Sequence, residues 1–349
     1  MKRNKKISMK DISKELGISI TTISFIINKK AENRISKEVI KKVEDYIEKV
    51  GYKPNSSAQS LRTGRSKSIV FMVEDISDPF FSAIAKEMEE IAFKNGYNII
   101  YCSTENDRDR TLELISLFKD RQVDAFIITP PENFEKDLKN LIYEEHQNVM
   151  VFDRYFKNFK HNYVILENFE GAQKAVAGFY ESGRRNIAFV GIDSQLSPLV
   201  ERHEGYLEAI KNFDLPTYEL FLKFNEVKTP GGMNAIRNFL NENPKIDSIL
   251  FATNNLAING LRVIREKQIK IPEDLAIISF DERDVFELYS PPISVIAQPI
   301  SDLAKELING TLEILASKKE RRHFFTKALP GELIVRESLH QLNKESSNP

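Results

Sequence analysis

The sequence predicts a small all-α headpiece followed by an α/β domain of two similar lobes, each built on a doubly wound parallel sheet. Three observations carry this prediction. First, charge is unevenly spread: the formal net charge is −1, yet residues 1–67 hold 17 Lys and Arg against 7 Asp and Glu, a balance of +10 that leaves the rest at −11. Second, the basic end contains two short amphipathic segments joined by a glycine. Third, from Ser68 onward short apolar runs alternate with amphipathic stretches, and the alternation restarts near Asn186.

In the basic end, Ser8 and Asp11 have capping-box spacing and open a helix that places Ile12 and Leu16 on one face. Gly17 stops it, where positive φ suits a tight turn. Ser19 caps a second helix over Ile20 to about Asn28, with Ile23, Ile26 and Ile27 inward. Ser36 caps a third, with Val39, Ile40, Val43 and Ile47 inward. The first two helices form a helix-turn-helix unit. Its second helix leaves Ile20, Thr21, Ser24 and Phe25 at or beside the outer face. Thr and Ser hydroxyls bond phosphates or base edges, and Ile20 and Phe25 suit thymine methyls. Phe25 has a second reading, as core against the third helix. The charge excess has two as well, a nucleic-acid contact or a solvated basic arm.

In the α/β part, strands are predicted over 69–73, 97–102, 125–128 and 149–152, with helices over 80–95 and 110–121. The later runs 186–190, 247–251 and 275–281 echo the first, third and fourth strands. Asp153 and Asp281 each stand directly after a strand, one per lobe. Ligands of such sheets sit at the strands' carboxyl ends, so the two aspartates face a shared cleft or, read blandly, are solvated or capping residues.

Composition bounds the function. The chain has 349 residues, 41 % hydrophobic and 29 % charged, enough for two or three domains with real cores. The single cysteine, Cys102, excludes an intramolecular disulfide and fits a reducing compartment; its apolar strand predicts a buried structural thiol. The N-terminal lysines precede no apolar run and no segment is long and apolar enough for a bilayer, so a cytoplasmic location without membrane contact is expected. The five histidines (His146, His161, His203, His323, His340) lack metal-ligand spacing, and there is neither a phosphate-binding glycine loop nor a nucleophile elbow. No catalytic residue, metal or cofactor is assigned, and His203-Glu204 beside Arg202 reads as a partly exposed helix pair. A periplasmic sugar-binding protein shares the two-lobed cleft but leaves the helix-turn-helix unexplained.

The run Ile7 to Ser24, the stretch Val50-Gly51-Tyr52-Lys53-Pro54-Asn55 with Ala58 and Leu61-Arg62-Thr63-Gly64, and the later Asp78-Pro79-Phe80-Phe81, Arg202, Ser279-Phe280-Asp281-Glu282, Gln298-Pro299 and Glu332 to Ser338 together resemble the lactose repressor and purine repressor family over nearly the whole chain. The resemblance implies a periplasmic-binding-protein-like sensor and a homodimer on a pseudo-palindromic double-stranded operator. It assigns DNA contact to Ser19, Ile20, Thr21, Thr22, Ser24, Phe25 and Asn28, and to Asn55, Ala58, Leu61 and Arg62 of a hinge helix. Leu61 is there the minor-groove wedge, whereas by sequence alone it is a linker leucine. The family commonly has arginine where this chain has Phe25, so base preference should differ there. The resemblance also implies a small, sugar-like effector held by Phe80, Phe81, Asp153, Arg202, Thr253, Asn254 and Asp281. Phe81 has the alternative of anchoring its own helix. Thr253 departs from an asparagine of the lactose repressor, so effector identity does not transfer, and either an inducer or a corepressor fits, as does a phosphoprotein partner.

The expected division is headpiece 1–53, hinge 54–65, sensor 66–340 and tail 341–349. Within the sensor the first lobe takes 66–165 and 298–322, and the second 166–297 and 323–340. The short tail leaves no room for a leucine-heptad tetramer module, so a dimer is expected.

Overall fold

A computed structural model describes residues 7–27, 34–52, 64–227, 229–317 and 323–339. The chain divides into two units, Met1–Ser66 and Lys67–Pro349.

In the first unit, α1 (Met9–Leu16), α2 (Ile20–Ile27) and α3 (Lys37–Val50) surround Ile12, Ile23, Ile26 and Val43. The capping box forms as the sequence requires: Ser8 Oγ accepts from Asp11 N–H, and the Asp11 carboxylate accepts from Ser8 N–H at 2.8 Å. Such caps contribute about 1 kcal/mol each by satisfying otherwise orphaned helix donors. Gly17 sits at φ 69°, the left-handed conformation that the turn between the two helices demands. Ser19 Oγ accepts from Thr22 N–H at 3.1 Å, and Ser36 Oγ from Val39 N–H at 3.4 Å.

The second unit holds two six-stranded sheets. The first contains β1 (Ser68–Val73), β2 (Asn98–Ser103), β3 (Ala125–Ile128), β4 (Val149–Phe152), β5 (Asn162–Leu166) and, from much later in the chain, β11 (Thr326–Leu329). The second contains β6 (Ile187–Ile192), β7 (Tyr218–Leu222), β8 (Ser248–Phe251), β9 (Ala276–Phe280), β10 (Ser294–Ala297) and β12 (Glu332–Ile334). Their orders are β2-β1-β3-β4-β5-β11 and β7-β6-β8-β9-β10-β12, the same doubly wound arrangement twice. All pairs are parallel except β10 with β12.

Strand periodicity sorts the first lobe's core into two layers. Ile69, Phe71 and Val73 face one side of β1, Val70 and Met72 the other. The first side is covered by α4 (Pro79–Lys94) and by a helix that returns from the far end of the chain, Ile300–Ala316. The second is covered by α5 (Arg108–Asp120) and the segment around Leu138–Ile142. In the second lobe, α6 (Asn168–Glu181) and α7 (Ser197–Asn212) pack closely enough that a Cβ on Gly205 would stand 2.2 Å from the Phe169 carbonyl oxygen. The repeat extends to single bonds: Asp124 Oδ2 accepts from Lys67 N–H at 3.1 Å, and Asp247 Oδ2 from Arg185 N–H at 2.9 Å.

Three sequence expectations need correction. The lobe boundary at 322/323 lies too early, because β11 pairs with β5 in the first sheet; the chain enters the second lobe only between Leu329 and Glu332. A four-residue strand between Phe324-Phe325 and Pro330-Gly331 carries no sign of which sheet it joins. Cys102 is half-buried rather than buried, because β2 is an edge strand with only one neighbour. His203 does pair with a carboxylate, that of Glu219 on β7 rather than its neighbour Glu204. Among the described residues no helix is long and apolar enough to cross a membrane, and no group of His, Cys, Asp and Glu could hold a metal ion.

Candidate functional site

Helix α2 is the element expected to read DNA. Ser19, Ile20 and Thr21 are exposed at its N-terminal end, with Ile20 retaining 40 % of its surface. Thr22, Ser24 and Phe25 are half-buried. Ser19 and Thr22 spend their side chains on each other and on the cap, 2.8 Å apart. Asn28, Asn55, Ala58, Leu61 and Arg62 lie outside the described residues.

The seven residues expected to hold an effector line one cavity of about 150 Å³ between the two lobes. Sheet order explains their convergence. Each stands at or just beyond the carboxyl end of a strand, or on the helix that follows, where the order reverses around β1 and β6. Asp153 follows β4 and Asp281 follows β9; both are left-handed, at φ 66° and 67°. Aspartate is among the few side chains that tolerate this conformation, and it turns the chain sharply off each strand end.

Arg202, on α7, is 3 % exposed. Its guanidinium donates from Nε to Asn168 Oδ1 at 2.8 Å and from Nη1 to the Ala252 carbonyl at 2.6 Å, and lies 3.4 Å from Asp281 Oδ2. It also stacks 4.2 Å over the Phe280 ring. The Asp281 carboxylate is further held by Gln298, whose Nε2 donates to Oδ1 at 2.6 Å. Phe80 and Phe81 pack on Phe152, with ring centroids 5.9 and 6.3 Å away. Phe81 is 8 % exposed and belongs to the first lobe's core, so it anchors its helix as well as reaching the cavity. Thr253 caps the helix Asn254–Glu266, accepting from Leu256 N–H at 3.4 Å. Asn254 is buried, and its Oδ1 has no hydrogen-bond partner.

Charge in the cavity is predominantly acidic. Burial pushes the Asp153 carboxyl up to about 6, against the pull of Arg154 and Arg202 and with added repulsion from Asp281 and Glu74. Burial likewise raises Asp78, outweighing its hydrogen bond from Phe80 N–H and the attraction of Arg283.

Sequence reasoning missed several participants. Glu74 follows β1 and Arg154 follows β4, so position after a strand would have found both. Arg154 donates to Glu74 Oε2 and Asn106 Oδ1, each at 2.6 Å, and stiffens the cavity floor. Polar contacts also bridge the lobes. Asp78 pairs with Arg283 at 3.7 Å, Tyr155 OH donates to Glu201 at 2.6 Å, Tyr155 N–H donates to Ser197 Oγ at 2.9 Å, and Ser194 donates to Glu132.

Comparison with known proteins agrees with this architecture. Residues 8–55 match the lacI family of bacterial regulatory proteins, and residues 176–339 match a periplasmic binding protein-like domain. The HTH-type transcriptional repressor PurR of Actinobacillus pleuropneumoniae is 27 % identical over 338 residues, covering 97 % of this chain and 99 % of that one. The fold is that of the lac repressor dimer bound to operator and the anti-inducer ONPF (TM-score 0.84, 18 % identity, 96 % of this chain and 100 % of that chain). A LacI family transcriptional regulator from Enterococcus faecium with bound ribose is 25 % identical with a TM-score of 0.68, covering 79 % of this chain and all of that one. Residues 8–55 thus match the lacI family ahead of a two-lobed domain of the periplasmic-binding-protein-like type, and over nearly its whole length the chain is similar to HTH-type transcriptional regulators.

Proposed function

We propose that this regulator acts as a cytoplasmic homodimeric repressor on a pseudo-palindromic operator, and that a sugar or sugar derivative in the interlobe cavity sets its affinity. The observation that carries the effector reading is the meeting of Asp153, Asp281 and Arg202 with the Phe80 ring around one cavity. Carboxylates accept from sugar hydroxyls, a guanidinium fork donates to their oxygens, and an aromatic face covers C–H groups. Ribose in the Enterococcus faecium relative supports the same class.

Binding between the lobes competes with, or adds to, the Asp78–Arg283 and Tyr155–Glu201 contacts, so occupancy changes the balance between lobe arrangements. A coupling of about 1–3 kcal/mol per effector is enough to switch operator occupancy. The role that the family resemblance gives Leu61, the minor-groove wedge at the operator centre, completes the scheme. Two variants test it. Arg202→Ala should leave specific operator binding intact and abolish the response to a panel of pentoses and hexoses; a retained response refutes the cavity. Leu61→Ala should weaken operator binding much more than nonspecific binding, and equal loss of both refutes the wedge.

A further inference from the structure

The first lobe carries a second, larger cleft that the effector reading does not use. It has a volume of about 820 Å³, in the range of small-molecule sites, and opens between the loop after β4, the start of β5 and the segment before β11. Its walls are aromatic. Phe156 and Phe159 stack with centroids 6.1 Å apart, Phe159 lies 4.7 Å from the His161 ring, and His161 lies 5.6 Å from Tyr163. Lys160 and His323 are exposed at its rim.

His161 is the informative residue. It lines the cleft yet is only 1 % exposed. Its Nδ1 lies 3.0 Å from the Phe159 carbonyl oxygen, which can only accept, so Nδ1 carries the proton. Burial lowers the affinity of this imidazole for a second proton. Nε2 is therefore a bare acceptor, and it has no hydrogen-bond partner. A buried acceptor left unpaired among stacked rings is matched by a planar group that brings its own donor. The basic rim suits an anionic substituent on that group.

We propose that this cleft is a second small-molecule site, distinct from the interlobe cavity, which takes a planar aromatic ligand bearing an O–H or N–H donor and an anionic group. The donor meets His161 Nε2, the ring stacks among Phe156, Phe159 and Tyr163, and the anion meets Lys160. Tyr155 lines the same cleft and donates to Glu201 of the second lobe, so an occupant lies against one of the lobe–lobe contacts.

Calorimetric titration of the full-length protein with 4-hydroxybenzoate and indole-3-carboxylate, using benzoate as the match without a donor, tests the site. The expected result is saturable binding of at least one donor-bearing probe at one site per chain, with benzoate at least about tenfold weaker. His161→Phe should bring the donor-bearing probe to the benzoate level. Lys160→Ala, on the exposed rim and so harmless to folding, should weaken both carboxylates and leave phenol unchanged. Asp153→Asn, in the interlobe cavity, should alter none of these affinities. Absence of saturable binding by both donor-bearing probes, equal binding of benzoate, or loss of binding in Asp153→Asn with retention in Lys160→Ala overturns the proposal.

Discussion

Replacing Asp153 by asparagine isolates the cost of holding a carboxylate in the interlobe cavity. Its side chain is 15 % exposed, and burial raises its pKa from 3.8 to about 6 despite Arg154 at 3.5 Å. At 1.36 kcal/mol per pH unit, the ionised form is disfavoured in the folded protein by up to ~3 kcal/mol, and relaxation around the charge brings the observable figure to about 1–3 kcal/mol. The sign follows from linkage. The folded state holds the proton more tightly than the unfolded chain, so this group's contribution is most favourable below about pH 4, declines as pH rises to about 6, and is flat above. Asparagine removes that slope and tolerates the left-handed backbone at φ 66°. Urea denaturation of parent and variant at several pH values should show no difference near pH 4 and a gain of about 1–3 kcal/mol for the variant at pH 7.5. The same variant should respond poorly to effector, because an amide offers one acceptor in place of two. A gain that is absent at pH 7.5, or equal at every pH, refutes the argument.

Two further substitutions test the scaffold. Gly205→Ala drives a methyl against the Phe169 carbonyl oxygen, backbone that cannot swing aside, and should cost about 3 kcal/mol of stability in thermal melts. Arg184 is 1 % exposed and donates to the carbonyls of Pro272, Asp247 and, at 3.5 Å, Glu273. Arg184→Met keeps the bulk but strands these acceptors, and should cost about 3 kcal/mol by denaturant titration.

The sequence was most legible where local chemistry decides structure. Ser8 and Asp11 form their capping box, Gly17 takes positive φ, and β3 and β4 begin and end where the apolar runs do. The internal repeat was legible too, since Asp124 and Asp247 do the same work in the two lobes. Legibility failed where a residue's role depends on distant chain. Strand β11 joins the first sheet only because β5 offers a free edge about 160 residues earlier. Gln298 was visible as part of a motif, but its grip on Asp281 depends on the crossover between lobes. Arg184 gave no signal at all, for a guanidinium that binds carbonyls instead of carboxylates leaves no charge partner to find.

The basic headpiece is proposed to read DNA sequence under control of the two-lobed sensor. This reading is tested most directly by selecting ligands for the full-length protein from random duplex DNA, with and without the pentose and hexose panel. The expected result is an enriched pseudo-palindrome whose recovery changes when one of the sugars is present. Failure to enrich any motif under all of these conditions would contradict it.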